Sequence, residues 1–410
     1  MAGVNSNIRT QICIAGGGPA GLMAGLLFAR AGVETLVLEK HADFFRDFRG
    51  DTIHPSTLEL FDQLGWLDEL LELPHVRVEQ LKARIGGEFV QIADFRHLSV
   101  PAPFIAMMPQ WDLLDFIARK ARTYPCFRLE MNREVSCTMK DTGGRVSGVE
   151  LVDGGTVGAS LVIAADGRGS ALRTENGLPL ETLGAPMDVF WFRVEREPGD
   201  SGETFGVFER GHIFILIDRG DYWQCAYALE KGGGDTIKAR PLDKFKTELT
   251  AYLPRLEHGL AAIRSWDDIK LLSVSLDRLT RWHRPGLLAI GDAAHAMSPI
   301  GGVGINLAVQ DAVAAANILA CPIARGEAVD PLLASVQKRR WAPTARVQWL
   351  QKIAQNALIA PTLSGQSDIG KPPLALRIVN RIPLLQRIPA HIVGLGFRRE
   401  KIETPDVFTG

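Results

Sequence analysis

Ile12-Cys13-Ile14-Ala15 is an uninterrupted apolar run of strand length, and glycines follow it at once. Such a run predicts a short parallel strand buried on both faces. The apolar stretch goes on to Val33, but glycine or proline interrupts it at 16 to 19, 21, 25 and 32. That punctuation predicts a strand, a turn and a helix from Leu22 to Arg30 in place of a membrane span. Gly32 ends the helix, and Glu34 to Glu39, with Val37 and Leu38 apolar, predicts the next strand. The three pieces make a compact βαβ unit.

Further along, Ser56 predicts the N-cap of a helix from Thr57 to Leu64 that Gly65 closes. Residues 75–100 read as strands and Trp111 to Thr123 as a helix. From Val135 to Ala165 the pattern alternates, with Gly143-Gly144 and Gly154-Gly155 as turns. Leu161-Val162-Ile163-Ala164 is a second wholly apolar strand and runs into Asp166. Four strand-like runs, 187–194, 203–208, 212–217 and 221–229, are dense in aromatic residues and predict an inserted antiparallel sheet. Leu242 to Leu260 reads as a helix. Gly286 to Ile290 returns to the first domain as a strand, and a helix follows from about Gly304 to Ala320. Beyond residue 331, prolines at 361, 372, 373, 383 and 389 break a run of helices. The predicted class is α/β. A discontinuous Rossmann-like domain takes residues 1–73, 101–179 and 269–345, a sheet domain takes 74–100 and 180–268, and a helical segment takes 346–410.

Length adds that 410 residues exceed one small core and suit two intertwined domains or a single large one. The net charge of -1 favours neither a nucleic acid nor a membrane as partner. Five scattered cysteines, Cys13, Cys126, Cys137, Cys225 and Cys321, have no CxxC spacing. They argue against a disulfide framework or a zinc site and for a reducing compartment. Met1 to Gln11 is polar and lacks a signal-peptide layout, so a cytoplasmic protein is expected. There is no H-x-x-x-H spacing and no Ser-His-Asp arrangement, and no metal is expected.

Three glycine-containing fragments carry the chemistry. Gly16-x-Gly18-x-x-Gly21 follows the first strand and opens the first helix at Pro19 and Ala20. The first glycine permits the turn, the second lets backbone approach a pyrophosphate, and the third lets helix meet strand. The helix start offers unpaired N–H groups and partial positive charge to phosphates. Glu39 ends the second strand, where an acid suits a ribose hydroxyl, and Lys40 follows it. A structural glycine turn is the bland alternative, and this motif alone does not separate FAD from NAD. Asp166-Gly167 follows the second apolar strand; by itself such a pair is an ordinary turn. Gly291-Asp292-Ala293-Ala294-His295 follows the third strand. Its small residues allow close backbone approach, and the Asp suits a hydroxyl of the ribityl chain. Pro299 follows, and Gly301-Gly302-Val303-Gly304-Ile305-Asn306 opens a helix whose N-terminus would stabilise negative charge.

In this order and at these separations the fragments resemble the FAD-binding set of single-component flavoprotein monooxygenases, the aromatic hydroxylases of the para-hydroxybenzoate hydroxylase type. The resemblance covers most of residues 8–345. It implies a Rossmann-like FAD-binding domain with an inserted substrate-binding sheet. The implied cofactor residues are Gly16, Gly18, Pro19, Ala20, Gly21, Glu39, Lys40, Asp166, Gly167, Gly291, Asp292, Pro299, Gly302, Gly304, Ile305 and Asn306. Arg49 and Gln110 match family positions at the FAD, and Arg49 and Pro299 are implied at the reaction centre. The resemblance further implies that NADPH or NADH binds transiently and reduces FAD. O2 then adds at flavin C4a, and the hydroperoxide gives one oxygen to the substrate. No second GxGxxG is present, so the pyridine-nucleotide preference stays open. No Trp-x-Trp-x-Ile-Pro run is present, which disfavours a flavin halogenase.

Phe214, Trp223 and Tyr227 are candidate substrate-lining residues, with sheet core as the bland alternative. The implied acceptor is a hydrophobic, phenolic or polycyclic aromatic small molecule. His54 is a candidate catalytic group or a structural histidine, and His295 a packing residue. A competing function is an FAD-dependent reductase or dehydrogenase of a hydrophobic isoprenoid, whose relatives share the first and third motifs. A third is a flavin-containing scaffold. In that case Leu374 to Phe397, interspersed with Arg377, Arg381 and Arg387, would lie on a membrane or form a subunit contact; otherwise it is a helical cover. Monomer and homodimer are both compatible with the chain.

Overall fold

A computed structural model describes residues 7–45, 52–196, 204–209, 211–365 and 371–409. At its centre an eight-stranded sheet contains a parallel set ordered Leu287–Ala289, Thr156–Ala164, Asn7–Ala15, Thr35–Leu38 and Phe127–Glu130. Ile12, Cys13, Ile14, Leu161, Val162, Ile163, Leu287 and Leu288 are completely enclosed. Enclosure on both faces is why these strands are apolar at every position. The hairpin Val135–Lys140 and Val146–Leu151 pairs antiparallel onto Thr156–Ala164.

Helix Pro19–Arg30 packs between Gly304–Ala324 and Gln110–Ala121, and all three share one core with the sheet. Among the described residues one helical stretch, Ile300–Ala324, is long and apolar enough to cross a membrane, but 72% of its apolar window is buried in the fold. Here it is a core helix.

The second sheet has seven strands in the order Lys270–Leu272, Met187–Glu195, Tyr222–Glu230, His212–Asp218, Phe205–Glu209, Gln80–Ile85 and Glu88–Asp94. Lys270–Leu272 keeps to this sheet past residue 268, where the sequence pattern placed the return to the first domain. Helix Leu242–Tyr252 covers one face.

Some element ends differ from expectation. The helix at 55 runs Pro55–Gln63 with His54 as its N-cap, so Ser56 lies inside it. Proline is favoured at the first helical position because its missing N–H has no helical partner there, and that moves the start forward. Pro254 ends Leu242–Tyr252 early, and Pro254–Leu256 and Glu257–Leu260 follow as separate turns. The C-terminal part consists of Asp330–Ala354, a π-helical turn Gln355–Ile359, Ala360–Leu363, Leu374–Arg381 and Arg387–Leu395, with a short Pro383–Gln386 turn.

Candidate functional site

Strand register brings the sequence motifs together. Leu38 pairs with Ala15, Ala15 with Ala164, and Ala164 with Ala289, so four parallel strands end in one row. Glu39, Gly16, Asp166 and Gly291 therefore leave the same carboxyl edge as neighbours. That edge is where open α/β sheets bind nucleotides.

The first loop has a tight inner side and an open outer side. Gly16 has φ +108°, and a Cβ there would lie 2.3 Å from the Ala165 carbonyl oxygen. A Cβ on Gly21 would lie 1.9 Å from the Gly16 oxygen. Around Gly18 there is nothing within 4 Å of that position, so its face is bare backbone. The first helical bond runs from Leu22 N–H to the Gly18 oxygen at 2.9 Å. The N–H groups of Ala20 and Gly21 thus precede the helical ladder, in position to meet an anion. Glu39 is 8% exposed; its Oε2 accepts from Gly17 N–H at 2.9 Å and its Oε1 from His41 N–H at 3.1 Å. It fixes the loop and keeps lone pairs for a hydroxyl. Lys40 is exposed beside it.

The second and third loops interlock. Ser170 caps the turn Ala171–Glu175 by accepting from Arg173 N–H at 3.1 Å. The Arg173 guanidinium donates to the Ala293 carbonyl at 3.3 Å and to the Arg168 carbonyl. Arg168 Nε donates to Asp292 Oδ2 at 3.0 Å. A Cβ on Gly291 would lie 2.9 Å from the Ala20 Cβ, so the third loop rests on the start of the first helix. Asp166 Oδ1 and Arg168 Nη1 are buried without a hydrogen-bond partner. Burial pushes the Asp166 carboxyl above its ordinary range. Buried polar atoms of this kind call for a ligand. Together with the bare face at Gly18, they fit a dinucleotide such as FAD.

The Pro299–Gly302 loop is held by Asn306, already singled out in the sequence, and by two glutamines that were not. Asn306 Oδ1 accepts from His54 N–H at 2.8 Å and Thr57 Oγ1 at 2.7 Å, and its Nδ2 donates to the Thr52 and Gly302 carbonyls at 3.1 and 3.2 Å. The Asn306 side chain is thus used up in positioning the loop. Gln351 accepts from Ser298 N–H at 3.1 Å and donates to the Ser298 and Ile300 carbonyls, both at 2.9 Å, which brackets Pro299. Gln348 does the same one turn earlier, donating to Asp277 and Ala296. The signal for this clamp was a polar stripe, Gln348, Gln351 and Gln355, at helical spacing.

A second overlooked group lies beneath the third loop. Asp311 Oδ2 accepts from Gly291 N–H at 3.1 Å and meets His295 Nε2 at 2.6 Å, while Oδ1 accepts from Arg340 Nε at 2.9 Å. Arg340 also pairs with Glu400 at 3.3 Å. Asp311, Arg340 and Glu400 are all 0% exposed. Burial pushes the Asp311 carboxyl up, but His295 and Arg340 together hold it below the usual carboxylate range. His295 therefore serves this network in addition to packing against Trp282.

Arg49 lies outside the described residues. Gln110 begins the helix Gln110–Ala121. Phe214, Trp223 and Tyr227, offered either as substrate-lining residues or as sheet core, lie in a buried cluster away from the cofactor loops. Strand alternation turns all three to the outer face, where they pack with Phe190, Phe192, Phe245 and Leu249 under the helix Leu242–Tyr252. A cavity of about 490 Å3 lies on that outer side, bordered by His212, Tyr227, Phe245 and Tyr252. It lies on the face opposite the one that packs against Ile300. No group of His, Cys, Asp and Glu among the described residues is placed to hold a metal ion.

His54 is completely buried, with Nδ1 2.7 Å from the Val393 carbonyl. A carbonyl only accepts, so Nδ1 carries the ring proton. Burial outweighs this bond and pushes the imidazole from 6.5 down to about 4. His54 is therefore neutral near pH 7 and no proton donor. As the folded value lies below the unfolded one, the unfolded chain takes up the proton first as pH falls. The His54 contribution is complete above about pH 6.5 and is lost as pH falls toward 4. Between pH 7 and 5 the loss comes to about 2 kcal/mol. Urea unfolding at both pH values should show wild type losing that much more than His54→Gln; equal losses would refute the assignment.

The sequence matches the family described as FAD binding domain over residues 9–349. It is 30% identical over 387 residues to 6-methylpretetramide 4-monooxygenase of Streptomyces rimosus, covering 93% of this chain and 91% of that one. It is 26% identical over 379 residues to an aklavinone 12-hydroxylase of Streptomyces peucetius, covering 80% and 71% of the two chains. The fold matches the crystal structure of p-nitrophenol 4-monooxygenase from Pseudomonas putida with TM-score 0.74 at 20% identity, covering 96% of this chain and 100% of that one.

Proposed function

This chain belongs to the FAD binding domain family, and from that premise we propose that it hydroxylates an aromatic small molecule using FAD, NAD(P)H and O2. The observation that carries the reading is the single row of strand ends, which gathers all three loops at one nucleotide-binding edge. The relatives named above are monooxygenases and hydroxylases. FAD, when bound, supplies reduction by nicotinamide and activation of O2.

The protein's own part is holding, charge and exclusion of water. The Gly16–Gly18 loop and the helix start behind it would hold the diphosphate, Glu39 a ribose hydroxyl and Asp292 a ribityl hydroxyl. The start of the helix Gly304–Ala324 puts partial positive charge at the Pro299–Gly302 loop. Negative charge developing on a reduced ring system would be stabilised there. The sparse set of acid and base side chains suits a reaction in which the cofactor does the bond chemistry.

The test is the visible spectrum of the purified protein, followed by NAD(P)H oxidation in air with a panel of phenolic and polycyclic acceptors. A yellow protein whose oxidation rate rises with one acceptor, yielding a product one oxygen heavier, is expected. Oxidation without oxygen transfer to any acceptor would favour the isoprenoid reductase. A protein that cannot be reconstituted with FAD would remove the basis of the reading. Arg49→Ala is expected to keep its flavin and to reduce it more slowly or with poorer coupling, measured by stopped flow and by product formed per NAD(P)H.

A further inference from the structure

Building on the hydroxylase reading, we propose that Trp191 and Gln355 are hydrogen-bond donors to the substrate. They select flat, uncharged, fused aromatics that carry carbonyl oxygens.

The strand Tyr222–Glu230 alternates in size as well as in direction. Trp223, Cys225, Tyr227 and Leu229 point under the outer helix, whereas Ala226 and Ala228 point the other way. Across that inner face Trp191 stands opposite Ala226, and Ala226 opposite Ile215. Ala226 is the short side chain between these two larger ones. The same face packs with Ile300 of the cofactor loop and with Ile359. Trp191 and Ile215 also join Met107 and Ile217 on their other side. The side chains named here carry no charge, and Lys270, which register sets opposite Trp191, is exposed, so a carboxylate would find no buried cation among them.

Two polar atoms interrupt this apolar setting. Trp191 Nε1 and Gln355 Nε2 are buried and have no hydrogen-bond partner. Native proteins rarely leave buried donors unmade, because each has given up its water. Gln355 stands one turn beyond Gln351, which holds the Ile300 carbonyl at 2.9 Å. It also opens the π-helical turn Gln355–Ile359, whose last residue joins the inner-face cluster. A π turn sacrifices regular helix bonding and is commonest at functional sites. Two N–H donors on the elements that build this apolar face call for carbonyl lone pairs on a planar hydrophobic body.

The test uses the FAD-loaded protein and equilibrium dialysis, which needs no turnover. The probes are a neutral dihydroxyanthraquinone, the dihydroxyanthracene that lacks its carbonyls, and the same quinone bearing a carboxylate. Wild type should hold the neutral quinone about tenfold tighter than the dihydroxyanthracene. It should hold the carboxylate form more weakly than the neutral one. Trp191→Phe and Gln355→Leu should each weaken quinone binding by about tenfold, with little change for the dihydroxyanthracene and with unchanged FAD content. Should Gln355→Leu fail to fold, Trp191→Phe decides.

The proposal is overturned if both variants hold the quinone as tightly as wild type. It is equally overturned if the dihydroxyanthracene loses as much as the quinone, if the carboxylate form binds best, or if wild type binds no probe. A protein that discriminates the probes as expected yet transfers no oxygen would keep this assignment and sink the hydroxylase reading.

Discussion

Asp292→Ala protein should leave purification with little FAD, its flavin absorbance a small fraction of the wild-type ratio. Asp292 stands on the third loop with its side chain 34% exposed and Arg168 against it. We propose it as the acceptor for a ribityl hydroxyl, and the flavin content of the variant tests that role. A hydrogen bond to a charged group is worth about 1.5–3 kcal/mol, which weakens FAD binding by roughly 10- to 150-fold when lost. The alanine also leaves Arg168 without its carboxylate. Since Asp292 lies at the rim and not in the core, circular dichroism and the apoprotein melt should change little. Flavin content equal to wild type would remove Asp292 from the cofactor site.

Arg340→Met should be the most destabilising single change proposed for this chain. Arg340 is completely buried between Asp311 and Glu400. Methionine fills similar space but leaves Asp311 with only His295 and a backbone N–H to balance it. Removing one partner from a buried ion pair costs roughly 3–5 kcal/mol, because the remaining charge is stranded away from water. Adding Asp311→Asn should recover part of the loss, since Glu400 still pairs with Arg339. Arg325→Ala is the control: its partner Glu327 is exposed, and no measurable loss is expected. If Arg340→Met and Arg325→Ala melt alike by calorimetry, the buried network has no structural weight.

The parallel strands and the three loops were legible because they obey local rules. A strand enclosed on both faces must be apolar throughout, and a backbone that touches phosphate must be glycine. Those rules gave Ile12–Ala15, Leu161–Ala164 and the motif residues directly. The two readings of the aromatic strands, substrate lining or sheet core, stayed open for an equally physical reason. Aromatic density at Phe214, Trp223 and Tyr227 marks burial, but burial does not say which side of a sheet is meant. The pairing that separates the two faces, Trp223, Cys225, Tyr227 and Leu229 on one and Ala226 and Ala228 on the other, follows only once the strands are placed against the outer helix and the cofactor loop. The clamps at Gln348 and Gln351, and the Asp311–Arg340–Glu400 group, depend on contacts between distant segments. A single sequence shows them only as polar residues sitting where a core helix should be apolar.

The common row of strand ends also has a consequence for how the protein is made. Translation delivers about 5–20 residues each second, so roughly 15–55 s separate the appearance of Gly16 from that of Gly291. Over about the first half of that interval Asn7–Ala15 has Thr35–Leu38 on one side, while its other edge waits for Thr156–Ala164. An apolar strand with an unpaired edge invites pairing with other chains. That edge stays open to other chains until Thr156–Ala164 has been made. Flavin capture comes as a late, sealing event and not as a template around which the first half forms.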